Sequence, residues 1–442
     1  DEQHSLFKYQ TMLQNPEYKQ FLDYMCRNVT ALGLIPPPGT DPNICQRPII
    51  GTWDDHDYGW DNGNKLHPKK QVFKQLFLDA IGENRNSIRR NSHRGMWYVH
   101  RLNEGFLNKE IDIFLLDERY NRSPLPCHVR RKFCLEDVLG NKTQSLQYKT
   151  EWCKDFLYGG LDGKGTCCNY DEEIQLGWCK IEENKNNELF EEACDINSEK
   201  FGLKSLILDS YTNTLRKPNG SEPIDIFQDS PFCEVLGREQ RIWLKNALKN
   251  SNAKIKIIAS SSVLLGSDGI ERTVGNNTVP IQCSSDDWDC YNIAQKSILS
   301  DINRANSLEK EGKRDLGEKT CIFVITGDFH WGDIKKLVPG KNPKHSDWLG
   351  SENFTQPIFQ VMSSGMTNST AIPNRKCESY LKDPAQLRDH EECDIVLEPN
   401  FGFIEVSWKE NDMPGFNYIL LKIRNSKGEV KLKSMLTPDM CA

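Results

Sequence analysis

The chain has 442 residues and a formal net charge of −7, long enough for one large α/β domain with insertions or for two or three ordinary domains. That mild acidity excludes a protein that grips nucleic acid through a basic surface; short basic spots such as Arg89-Arg90 and Arg130-Arg131-Lys132 read as solvated surface. No apolar run reaches membrane-spanning length, since Ile255 to Gly266 is short and interrupted by three serines.

From the start of the chain, Ser5 to Ala31 spaces Leu6, Tyr9, Leu13, Tyr18, Phe21 and Tyr24 as one or two amphipathic helices would, broken near Pro16 and ended by Pro36-Pro37-Pro38-Gly39. Strand-like runs follow at Pro48 to Trp53, Ile111 to Leu116, Ser205 to Leu208, Ile255 to Ala259, Cys321 to Thr326, Ile358 to Met362, Phe401 to Trp408 and Asn417 to Ile423. Between them, Val72 to Ile81, Arg238 to Lys249 and Tyr291 to Glu311 have helical spacing. Such alternation predicts a layered α/β core. The stretch from Pro124 to Lys200 breaks the rhythm: it is polar and holds cysteines at 127, 134, 153, 167, 168, 179 and 194. We read it as a disulfide-stapled insertion, 124–200, within a domain that runs over 1–442. Past Phe401, two alternating strands joined through Asn411 to Gly415 predict a hairpin that closes the sheet.

Sixteen cysteines without a repeated Cys-x-x-Cys pattern are best explained by disulfides. Seven Asn-x-Ser/Thr sequons, at Asn28, Asn121, Asn141, Asn219, Asn276, Asn353 and Asn368, point the same way. The two features predict a glycoprotein that is secreted, on the cell surface or in an endomembrane lumen. No signal peptide heads the sequence, so the expectation is a processed start or a fragment of a longer precursor.

Chemistry concentrates in two clusters. Trp53-Asp54-Asp55-His56-Asp57 gathers three carboxylates and an imidazole where an apolar run gives way to the turn-rich Tyr58 to Asn64. Such a cluster is costly unless a cation or strong hydrogen bonds compensate it. Gly327-Asp328-Phe329-His330 follows another strand-like run and repeats the carboxylate–imidazole combination. The bland alternatives are an acidic capping turn for the first and a histidine satisfied by a backbone carbonyl for the second. The donor chemistry of both suits Zn, Fe, Mn or Ca.

Four segments together resemble the alkaline phosphatase D (PhoD-like) family of metallophosphoesterases. They are Ile50 to Gly59, Leu115-Leu116-Asp117-Glu118-Arg119-Tyr120, Leu236 to Leu244, and Thr326-Gly327-Asp328-Phe329-His330. The resemblance implies a two-layer β-sandwich flanked by helices, with two or more metal ions where strand ends meet. It implies Asp55, Asp328 and His330 as metal ligands, with Asp54 and Asp61 as further candidates. His56 would face the phosphate as the catalytic group. Arg119 has the guanidinium geometry to clamp a phosphate oxygen, with a pair to Glu118 or Asp117 as the structural alternative.

The family's opening strand with its aspartate or cysteine ligand, and the Gly-Asp-x-x-Tyr segment after it, have no counterpart in this sequence. The expectation is therefore a cleaved N-terminal segment that stays associated as a partner, or a protein that has lost its chemistry. The activity implied is hydrolysis of phosphate mono- or diesters. Its rivals are an inactive glycoprotein serving as a binding module and a calcium-stabilised adhesion domain, the latter disfavoured by His56 and His330 because imidazole adds little to a calcium site.

Overall fold

The computed structural model describes residues 2–25, 49–59, 63–65, 67–91, 95–105, 109–123, 207–209, 214–216, 235–265, 271–274, 277–280, 288–307, 320–337, 357–366, 395–410 and 415–441. The proposed insertion, 124–200, lies outside them.

Helices α1 (Glu2–Gln14) and α2 (Pro16–Met25) are separated at Asn15, and α3 (Asp55–Tyr58), α4 (Lys70–Ala80) and α5 (Ile88–Asn91) follow. The Asn15 side-chain oxygen accepts from the backbone N–H groups of Glu17 (2.8 Å) and Tyr18 (3.1 Å). Asparagine there caps the new helix, and proline at its first position costs nothing because that N–H needs no helical partner. The break expected near Pro16 is thus present.

Six strands make the main sheet: β1 (Tyr98–Leu102), β2 (Ile111–Leu115), β5 (Ile255–Ala259), β8 (Cys321–Thr326), β10 (Ile358–Ser363) and β9 (Gly332–Leu337), in the spatial order β1-β2-β5-β8-β10-β9. The four inner strands run parallel, while β1 and β9 are antiparallel edges. β5 is buried at every position and β8 at all but one, which is why both read as continuous apolar runs. Two short hairpins, β3 (Ile207–Asp209) with β4 (Thr214–Arg216) and β6 (Glu271–Val274) with β7 (Asn277–Pro280), stand apart from this sheet.

A second, antiparallel sheet is formed by β11 (Asn400–Trp408), β12 (Phe416–Asn425) and β13 (Val430–Leu436). Its Phe416, Ile419, Leu421, Ile423 and Leu436 share one core with Ile255 and Ile257 of β5, Phe323 of β8, and Phe359 and Val361 of β10. A disulfide from Cys321, at the start of β8, to Cys441 fastens the chain's last turn into that core. The alternate residues of β5 face helices: Lys256 is fully buried and donates to Leu248 O (3.2 Å) of α6 (Arg238–Asn250). Helix α7 (Asn292–Ser307) packs beside α6 and β8. The result is a mixed α/β fold in which the large sheet carries the small sheet on one face and helices on the other.

Several elements depart from the sequence expectation. The run from Pro48 to Trp53, read as a strand, contains no strand at residues 49–54. It passes the exit of β2 and is tied there by side-chain bonds instead of a ladder. Strands β1, β9 and β13 were not anticipated. β9 hides a charged pair, Asp333 with Lys335 at 3.3 Å, both almost wholly buried, and β1 is a partly exposed edge; neither presents a clean apolar period.

Candidate functional site

Because β2, β5 and β8 are parallel neighbours, their carboxyl ends lie along one edge. In open parallel sheets this is where ligands bind, since helix starts and loop ends converge there. Both sequence clusters stand at this edge, with the exit of β5 between those of β2 and β8.

At the exit of β2, Asp117 is completely buried. Its carboxylate accepts from Trp53 Nε1 (2.7 Å), Met96 N (2.8 Å), Arg119 N (3.0 Å) and Tyr120 N (3.0 Å). Gln240 of α6 receives the Asp117 N–H (2.8 Å) and donates to the Asp117 carbonyl (2.7 Å). Four donors on one carboxylate keep a buried charge tolerable. They also fix where Trp53 enters, while Thr52 Oγ1 donates to Leu116 O.

Asp54 follows and starts α3 (Asp55–Tyr58), a single turn. The Asp57 carboxylate accepts the Asp54 N–H (3.2 Å), and Asp55 Oδ1 accepts the His56 N–H (2.6 Å). Gly59 ends the turn at φ 98°, where a Cβ would lie 2.7 Å from the Phe73 ring; only glycine fits. Beneath lies an aromatic floor of Trp53, Tyr58, Phe73 and Phe77. Tyr9 of α1 closes one side, its hydroxyl donating to Asp57 Oδ1 (3.1 Å). Burial raises the Asp57 carboxyl above the usual carboxylate range, against the pull of the Asp54 N–H. Burial, with Asp57 beside it, also pushes the Tyr9 phenol upward.

Arg119 and Asp54 are the pair on which the sequence left alternatives open. The guanidinium is wholly buried and donates from Nε (2.9 Å) and Nη2 to Asp54 Oδ1. Among the described residues, its ion-pair partner is Asp54, 65 residues away.

At the exit of β8, Gly327 N–H donates to Ser261 O (3.3 Å). Asp328 and His330 then take left-handed backbone, φ 82° and 60°, which costs a non-glycine residue free energy. Phe329 between them is buried, packing with Val263, Trp331 and Met362. Asp328 remains half-buried and His330 exposed, as His56 is exposed and Asp55 buried at the other exit. Asp61 lies outside the described residues.

Among the described residues, no three His, Cys, Asp or Glu side chains stand close enough to hold a metal ion. The donor sets explain part of this, since Asp54 is engaged by Arg119 and Asp57 by Tyr9. These residues alone do not fit a metal centre. Gln240, the Asp117 hub and Tyr9 escaped the sequence reading. One signal was available for Gln240: it sits at helical spacing between Leu236 and Leu244, a polar residue on an apolar face.

Compared with known proteins, residues 203–414 match the model of the PhoD-like phosphatase family. That span includes Gln240, Asp328 and His330 and leaves Asp54 to Asp57 and Arg119 outside it. No curated protein matches the chain. A solved structure described as "Structure of PhoD" aligns over 87% of this chain at 14% identity with a TM-score of 0.39, and the chain spans 54% of that structure's length. PhoD-like phosphatases in general depend on metal. Residues 203–414 are thus similar to PhoD-like phosphatases.

Proposed function

We propose that this protein hydrolyses phosphate mono- or diesters at the carboxyl edge of β2, β5 and β8, as a metal-dependent phosphoesterase of a secreted or lumenal compartment. One observation carries the reading: Asp328 and His330 hold strained, left-handed backbone at the sheet edge that also bears Asp55 and His56. Strain that persists in non-glycine residues is a mark of functional sites. In this reading His56 gives a hydrogen bond or a proton to the phosphate or leaving group. Asp55, Asp328 and His330 belong to the ligand set, to be completed by groups beyond the described residues, such as Asp61 or a segment preceding Asp1. Arg119 acts through Asp54, holding the Asp54–His56 turn, instead of clamping phosphate itself. The Cys321–Cys441 disulfide supports an oxidising compartment.

A second reading, an inactive binding module, is favoured by the lack of a three-ligand cluster among the described residues. Assays of p-nitrophenyl phosphate and bis-p-nitrophenyl phosphate with added Mn, Zn, Fe or Ca separate the two. The hydrolase reading expects turnover that a chelator abolishes. Protein that binds metal yet turns over neither ester under any of these additions supports the binding module.

A further inference from the structure

Glu118 is a fully buried acid for which the hydrolytic reading above has no use. It follows β2, and its carboxylate accepts from Ser260 Oγ, from Ser261 Oγ (3.4 Å) and from the Ser262 N–H (2.9 Å). Those three serines form the turn that leaves β5. Trp288 Nε1 donates to Ser260 Oγ (3.2 Å) and Arg122 Nη1 to Ser262 Oγ (3.2 Å), bracing the turn from behind.

The same turn carries the exit of β8. Ser260 N–H donates to Ile325 O (3.0 Å), and Ser261 O accepts from Gly327 N (3.3 Å), the residue before Asp328. On the other side, the neighbour of Glu118 in the chain is Arg119, which holds Asp54. A continuous path therefore runs from Asp54 through Arg119, Glu118 and the serine turn to Gly327. A buried carboxyl with no such task would be costly compared with an apolar residue of similar size, and here it lies between the two clusters.

We propose that Glu118 is a positioning residue that fixes the spacing between the Asp54–His56 turn and the Asp328–His330 turn. The proposal rests on the hydrolytic reading for its functional meaning, but its geometry can be tested apart from activity. Glu118→Gln should preserve the bridge. One amide oxygen can accept from Ser262 N, and Ser260 Oγ lies 2.7 Å from Ser262 O, so it can donate there while accepting from the amide. Glu118→Ala should break it.

Hydrogen exchange read by mass spectrometry is the first measurement. In Glu118→Ala, protection should fall together in peptides covering 49–59 and 326–332, with β12 unchanged; Glu118→Gln should resemble wild type. The second is kinetics on p-nitrophenyl phosphate: kcat of Glu118→Ala should drop by about 10- to 100-fold, the scale of a small misplacement of reacting groups, with KM little changed. If Glu118→Ala does not fold, Ser260→Ala, which removes one donor, should give the same paired loss of protection at smaller size. Unchanged protection at 326–332, or equal impairment by Gln and Ala, overturns the proposal. Paired loss of protection in a protein that hydrolyses neither ester would uphold the bridge and remove the hydrolytic reading instead.

Discussion

Arg119 and Asp54 form an ion pair in which the guanidinium is wholly buried and the carboxylate retains 26% exposure. Arg119→Ala leaves that carboxylate without its cation, and we expect a loss of about 2–4 kcal/mol in unfolding free energy, near the range for breaking a buried pair. A double-mutant cycle with Asp54→Ala should show coupling above about 1 kcal/mol. Additive effects would mean that the pair does not hold the turn.

His56 and His330 should separate by metal content. His56→Ala should keep bound metal and lower turnover by about two to four orders of magnitude, the range for a positioned acid or base. His330→Ala should lose metal along with activity. Elemental analysis of both purified variants checks this, and identical metal content would remove the ligand role of His330.

His67 gives the stability a pH dependence. It lies edge-on to the rings of Tyr58 and Phe73 at 5.1 Å each, and burial first, then nearby positive charge, pushes its pKa down to about 4. A histidine depressed in the fold binds protons more readily when unfolded, so its contribution is present above about pH 6.5 and is lost as pH falls toward 4. We expect about 1–2 kcal/mol of acid destabilisation from this group. In His67→Phe the decline of Tm between pH 6.5 and 4 should be shallower.

The Cys321–Cys441 bridge spans 120 residues of sequence. Its removal by paired alanine substitution should cost about 2–5 kcal/mol, read as a lower denaturant midpoint. Reduction of the wild-type protein, which opens every disulfide, should lower the midpoint at least as far.

Asn121 should remain unglycosylated in the folded protein. It is half-buried, a Cβ on Gly237 would lie 2.7 Å from its own Cβ, and Arg122 and Ser123 of its sequon are fully buried. Glycopeptide mass spectrometry of secreted material checks this, and a glycan there would mean that modification precedes folding of this turn.

What could be read from the sequence follows burial. β5 and β8 match their expected bounds because interior parallel strands must be apolar on both faces, and α6 is visible through its period. β9 was invisible because Asp333 and Lys335 pair with each other, Asp333 accepts from Trp331 Nε1 (3.4 Å) and Lys335 donates to Leu265 O (3.1 Å), contacts known only once folded. The run before Asp54 has strand composition but lies past the end of its neighbour, where side chains and not a ladder hold it. In the site, the two carboxylate–imidazole strings were legible as clusters that follow apolar runs. Which carboxylate Arg119 would take, and that Glu118 would join two strand exits, depend on contacts 65 and more than 140 residues apart.

If the proposed hydrolytic role of Asp328 and His330 holds, their left-handed backbone sets stability and chemistry against each other at two positions. Glycine adopts those angles freely, so a library of variants selected for heat resistance alone should drift toward glycine at 328 and 330. One selected for phosphoester turnover should refuse it. Opposite drift at the same two codons would distinguish scaffold from catalyst with a chromogenic phosphoester alone.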